Sequence, residues 1–399
     1  MEAVELRAEQ PAQRHAEALK TGAVRPGFWV RVSPADWLYG LALAGGAAFA
    51  LSRFGAYMDA YEKAILLLAV PTFAALGWFW RPARNLLAGA ALVSLASIAL
   101  YGGELARADS VFLLKYLISS QSAILWMCAL FFMATASYWV GVVARSAFAA
   151  SAGTALTWAA VTMALTGLLT RWYESYLLGA DIGHIPISNL YEVFILFALI
   201  TALLHLYYEQ QHGQRSLGAF VLLVVSAAVG FLLWYTFGRE AYQIQPLVPA
   251  LQSWWMKIHV PANFIGYGSF ALAAMVGIAY LTVQGREHGA LAARLPSPEV
   301  LEELQYRSIA VGFAFFTVAT ILGALWAAEA WGSYWQWDPK ETWALIVWLN
   351  YAAWLHMRLM KGLRGPMLAW WSIVGLFVTA FAFLGVNMFL SGLHSYGQL

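Results

Sequence analysis

Residues 331–360 read Trp-Gly-Ser-Tyr-Trp-Gln-Trp-Asp-Pro-Lys-Glu-Thr-Trp and then Ala-Leu-Ile-Val-Trp-Leu-Asn-Tyr-Ala-Ala-Trp-Leu-His-Met-Arg-Leu-Met. The first part is dense in aromatic residues. The second is an apolar run of the length a bilayer-spanning helix needs, about 20 residues. The junction is marked by Asp338, then Pro339, with Glu341 three residues after the Asp. An acidic N-cap, a Pro at the first helical position and a Glu at the third form a capping box. The stretch predicts an aromatic loop at a membrane edge that runs directly into a membrane helix.

The rest of the chain repeats the apolar half of that pattern. Of 399 residues, 61% are hydrophobic and 11% charged, against roughly 25% charged in a soluble domain. So little charge cannot solvate an ordinary surface, and most of the exterior must face lipid. Eleven apolar segments emerge: 36–52, 63–80, 84–102, 121–143, 151–170, 188–208, 217–237, 262–283, 307–327, 340–360 and 367–391. The fold class expected is an all-α polytopic integral membrane protein with about eleven transmembrane helices. Asn189 and Glu192 offer the sixth segment the same kind of cap. Residues 1–33 read as a polar cytoplasmic tail rather than a signal peptide, 34–119 as an N-terminal transmembrane extension, and 120–399 as the main membrane domain.

Most of the 23 basic residues fall in the loops that lie inside if the N-terminus is cytoplasmic. The positive-inside rule then places the C-terminus and the tryptophan-rich loop outside. No basic run of the kind that tracks phosphates is present, which excludes nucleic acid as the partner. The single cysteine, Cys128, lies in an apolar segment. It can build no disulfide, zinc cluster or covalent heme-attachment motif.

A flat aromatic surface at a membrane edge suits a large, planar, apolar ligand, and a porphyrin is the leading candidate. Heme iron takes axial imidazoles from opposite faces. Of the eight histidines, His15, His212 and His288 lie in polar stretches. His259 precedes the eighth span and His394 follows the last, so both fall on the outer face, flanking the aromatic loop in sequence. His356 lies near the inner end of the tenth span and His205 within the sixth, and an ionisable group at membrane depth is a functional hypothesis by default. Each reads as an inner ligand or as a hydrogen-bonded helix histidine. His184, in the loop before the sixth span, shapes the site or positions the loop. Interfacial enrichment accounts for the scattered tryptophans, but not for Trp331, Trp335, Trp337 and Trp343 clustered around Gly332. Asp338 and Glu341 serve as caps or as direct ligand contacts. Lys340, Lys257 and Arg171 are outer-face cations suited to propionates.

The stretch from Trp331 to Trp343 resembles the tryptophan-rich signature of the cytochrome c assembly proteins, and is most similar to the heme-handling subunit of the system II cytochrome c synthase. The runs Pro186–Glu192, Trp354–Arg358 and Asn387–Tyr396 and the residues around His259 support the resemblance, which covers about 120–399. It implies c-type cytochrome biogenesis at a bacterial-type inner membrane. Heme b, a transient and non-covalent cargo, crosses the membrane and is presented outside for thioether attachment to the Cys-x-x-Cys-His motif of an apocytochrome c. It implies His259 and His394 as the outer iron ligands, and His356 as an inner ligand whose partner comes from a second subunit with an extracytoplasmic domain. It further implies Trp331, Gly332, Trp335, Trp337, Asp338, Lys340, Glu341 and Trp343 as the outer heme site. Thiol-reducing proteins would serve the same pathway. The chain supplies positioning rather than catalytic groups of its own. The alternatives are a system I heme-delivery or lyase relative, a permanent heme-b redox protein, and a transporter of another aromatic or anionic solute.

Overall fold

The computed structural model describes residues 32–285, 289 and 291–393. The tail expected over 1–33 lies outside the described residues up to residue 31, as do His15, His288 and His394. Among the described residues the regular structure is helical, with no strand.

Eleven long helices carry the fold: α1 Pro34–Phe54, α2 Ala60–Phe79, α3 Arg81–Tyr101, α4 Ser120–Val143, α5 Ala147–Leu178, α6 Leu190–His212, α7 Gly218–Arg239, α8 Met256–Val283, α9 Pro298–Trp331, α10 Pro339–Met360 and α11 Pro366–Ala380. Each corresponds to one expected span. A π-helical segment, Phe381–Gly385, and a last turn, Val386–Phe389, prolong α11. Among the described residues, ten helices are long and apolar enough to cross a membrane. α10 falls outside that set, for it carries Lys340, Glu341, Asn350, His356 and Arg358.

The chain divides into two compact units, one ending at Arg84 and one starting at Asn85. In the first, Ser33 and Asp36 form a capping box at the start of α1. The same Asp36 carboxylate takes a 2.7 Å hydrogen bond from Arg84, and its backbone carbonyl takes one from the Trp78 indole at 2.8 Å. A buried carboxylate is tolerated because its charge is met.

In the second unit α4 and α5 form an antiparallel hairpin, and α8 is the most enclosed span, packed on α6, α7, α9 and α11. Phe270 of α8 stacks face to face on Tyr351 of α10, with centroids 3.6 Å apart. Glu174 of α5 accepts hydrogen bonds from Tyr101 of α3 and from the Ser120 hydroxyl and backbone N–H at the start of α4. Three donors satisfy a carboxylate that the hydrocarbon would otherwise penalise by several kcal/mol.

Candidate functional site

One end of the second unit holds a cavity of about 290 Å³, at the lower bound of the roughly 300 Å³ typical of small-molecule sites. Two helix faces form the main walls. From α8 come Met256, His259, Val260, Asn263, Phe264 and Tyr267, and from α9 Phe316, Thr320, Gly323, Ala324, Ala327 and Trp331. Both sets follow the spacing of three and four residues that puts side chains on one helix face. The α9 wall is largely small, and that is what leaves space. Ile187 through Leu190, Ala382, Phe383 and Asn387 close the sides.

His259 is anchored through one ring nitrogen. Its Nδ1 lies 2.8 Å from the carbonyl oxygen of Ala319. A carbonyl only accepts, so Nδ1 is the donor. This is how proteins orient a histidine for metal ligation. Trp326 meets the imidazole edge-on at 5.7 Å. A side chain at Gly323 would bring its Cβ to 2.9 Å from the imidazole Cε1, so the ring's seat depends on that glycine.

The four clustered tryptophans are not equivalent. Trp331 and Trp335 line the cavity. Trp337 does not; it is 69% exposed, meets Trp335 edge-on at 5.9 Å and holds a left-handed backbone (φ 57°). For a bulky residue that conformation is uncommon. Trp343 packs on Phe381 of the π segment at 4.3 Å. Gly332 ends α9 with φ 76°, its N–H donating to the Ala328 carbonyl. Trp326, Tyr334 and Tyr267 also line the cavity. Tyr334 belongs to the aromatic loop, whereas no motif marks Trp326 or Tyr267. The readable signal for this wall was the stripe Thr320, Gly323, Ala324, Ala327, Trp331, one helix face of small residues ending in an aromatic.

Asp338 and Glu341 do form the capping box. Their carboxylates also reach further. Glu341 Oε2 accepts from the backbone N–H groups of Gln336 and Asp338 at 2.7 and 3.2 Å, bracing the aromatic loop. Asp338 Oδ2 caps Lys340 N at 3.0 Å, while its Oδ1 accepts from Leu393 N at 2.6 Å. A Cβ at Gly392 would stand 2.2 Å from that Oδ1. The buried Asp338 thus fastens the C-terminal segment to the start of α10, one residue before His394 in the chain. Lys340 adds a second fastening: its Nζ donates to the carbonyls of Ala382 and Phe383 at 3.0 and 2.9 Å. A π turn disturbs the helical hydrogen-bond ladder, and Lys340 supplies donors there. Two bonds use two of its three protons, and the side chain lines the cavity.

The other predicted residues fall elsewhere. Arg171 pairs with Glu192 at 2.8 Å, both buried, and donates to the Tyr242 carbonyl at 2.6 Å. Its charge is spent on holding the loop after α7 to the start of α6. Glu192 also accepts from Ser188 N and its hydroxyl, each at 2.9 Å, and so shapes the segment that borders the cavity. His184 is buried against the same group, its Nδ1 2.6 Å from the Ile182 carbonyl. Lys257 is half-buried in the first turn of α8. His205 lies in a buried cluster, 3.2 Å from Glu209 and 3.3 Å from the Tyr138 hydroxyl. His356 is not on the cavity wall. It is exposed on α10, on the outward stripe Ile346, Leu349, Ala353, His356, Met360, about 23 Å along the helix from Glu341 at 1.5 Å per residue. Among the described residues no three His, Cys, Asp or Glu side chains converge on a metal position.

Bundle and cavity together define a polytopic helical membrane protein with an aromatic, histidine-bearing site at one end. The model of the cytochrome C assembly protein family matches residues 187–394, which takes in every residue of the cavity wall, and the chain belongs to that family. It is 40% identical over 233 residues to the cytochrome c biogenesis protein CcsA of Chlamydomonas reinhardtii, a match covering 58% of this chain and 64% of the relative. It is 34% identical over 302 residues to the CcsA of Chlorella vulgaris, covering 67% and 93%. Against the CcsA of Parasynechococcus marenigrum (strain WH8102) identity is 38% over 255 residues, covering 58% and 81%. Among solved structures, the cytochrome c heme lyase CcmF shares the fold, with a TM-score of 0.50 and 18% identity. The match covers 67% of this chain and about half, 48%, of that one.

Proposed function

We propose that this chain acts in c-type cytochrome biogenesis by holding heme b in the aromatic cavity and presenting it to an apocytochrome c. The observation that carries the reading is the wall containing His259. Its Nδ1 donates to Ala319 O, and it stands among Trp326, Trp331 and Trp335. His394 is the second outer ligand, delivered by the segment that Asp338 fastens. The third proton of Lys340 serves a propionate.

Attachment asks little chemistry of the protein. Each reduced thiol of the apocytochrome adds across a heme vinyl group. A carbon–sulfur bond forms at one vinyl carbon and the thiol proton ends on the other, with no net electron transfer. Positioning alone can supply much of the rate. The exposure of His356 on an outward stripe supports a ligand pair completed by a second subunit. The basic-residue bias supports an outer location for the cavity, and residues 120–399 serve as the heme-handling domain.

The test is the heme spectrum of the full chain purified with its partner subunit. His259→Ala is expected to lose most of the bound heme and to recover it with added imidazole. A variant that keeps wild-type heme content and Soret position overturns the assignment.

A further inference from the structure

A second cavity, of about 560 Å³, lies at the other end of the same unit. α6 starts at the aromatic cavity with Leu190 and ends at His212, 23 residues later, so roughly 35 Å separates the two ends. Three arginines line this second cavity: Arg145 in the turn between α4 and α5, Arg215 after α6, and Arg294 before α9. Ser146, Ser216 and the first residues of α5 complete it, and no Asp or Glu lines it.

The three cations are incompletely used. Arg294 donates through Nη1 to the Val142 and Val143 carbonyls at 2.8 and 3.0 Å, while its buried Nε has no hydrogen-bond partner. Arg215 donates to the Ser151 hydroxyl at 2.7 Å and lies 3.7 Å from Glu209, whose carboxylate is also engaged by Tyr138, Thr154 and His205. Arg145 makes no hydrogen bond or ion pair among the described residues and holds a left-handed backbone, φ 55°. The N-terminus of the 32-residue α5 borders the same space and adds its positive end.

We propose that this arginine-lined cavity binds a phosphate-bearing anion, and the phosphodiester headgroup of an anionic phospholipid suits it best. Guanidinium forks match phosphate oxygens, and basic pockets between membrane helices on the cytoplasmic side take such headgroups. The basic-residue bias assigns this end to the cytoplasm. Val143 and Phe148 beside the arginines are 62% and 85% exposed, an apolar surface for acyl chains that a soluble phosphate would leave unused. The proposal is independent of the heme site.

The test uses the delipidated full chain with its partner subunit in detergent. Phosphatidylglycerol, phosphatidylcholine, inorganic phosphate and hemin are titrated, and bound lipid is counted by native mass spectrometry. Phosphatidylglycerol is expected to bind at least tenfold more tightly than phosphatidylcholine. Arg145→Asn, which suits the left-handed backbone and touches no structural contact, is expected to lower that affinity about tenfold. Arg294→Gln should do so as well. Competition by millimolar inorganic phosphate assigns the same pocket to a soluble phosphate. Equal binding of the two lipids with no binding of phosphate, hemin binding alone, or wild-type affinity in Arg145→Asn overturns the proposal.

Discussion

Asp338 is the residue at which this structure can be tested most sharply. Its two oxygens do separate jobs: Oδ2 caps α10 through Lys340 N, and Oδ1 accepts from Leu393 N at 2.6 Å. Asn caps a helix about as well as Asp, so Asp338→Asn spares the cap. It replaces the other acceptor with an NH₂ that faces the Leu393 N–H. A hydrogen bond to a charged group contributes about 1.5–3 kcal/mol, which is roughly 10- to 100-fold in the fastened population. If that fastening seats His394 on the iron, heme is retained up to that much less well. The thermal midpoint, set mainly by the eleven helices, should move only a few degrees. The assay is heme dissociation from the complex, followed by Soret absorbance, with and without imidazole. Gly392→Ala attacks the same contact from the other side, since its Cβ would fall 2.2 Å from Asp338 Oδ1. If both variants retain heme at the wild-type rate with an unchanged spectrum, the C-terminal segment does not present a ligand and the reasoning fails.

Three further outcomes are expected. Gly323→Ala should tilt the His259 ring, whose Cε1 the new Cβ would approach to 2.9 Å, and shift the Soret band while the protein stays folded; an unmoved band argues that His259 is not on the iron. Glu174→Gln leaves a mismatched donor among Tyr101 and Ser120, costing about 1–3 kcal/mol in thermal stability with no change in heme spectrum. Trp337→Gly removes a left-handed strain on the order of 1 kcal/mol, so stability should hold or rise and heme content should stay. A large loss of heme would mean that Trp337 reaches the ligand despite its exposure.

Much of this protein was legible before folding because the signals are local. Each apolar run had to become a helix, since hydrocarbon offers backbone groups no other partner. The caps at Asn189–Glu192 and Asp338–Glu341 act within three residues and appear as read. The walls of the cavity were hidden in ordinary helical periodicity, because a stripe of Gly323, Ala324 and Ala327 looks like any tight helix contact until the facing helix is known. The same limit applies to charge. Arg171 and Lys340 both read as outer cations, yet Arg171 is neutralised by Glu192 while Lys340 reaches the π segment.

The sequence by itself determined the membrane, the eleven helices and the place of the aromatic loop at the head of α10. Only the tertiary structure decided that Trp331 and Trp335 face the cavity while Trp337 turns out, that His259 has its proton bound to α9, and that Asp338 holds the residue before His394. The reason is range. Periodicity and capping are settled within a turn of helix, whereas these contacts join α8, α9, α10 and the end of α11 across 55 residues or more and exist only once those helices have packed.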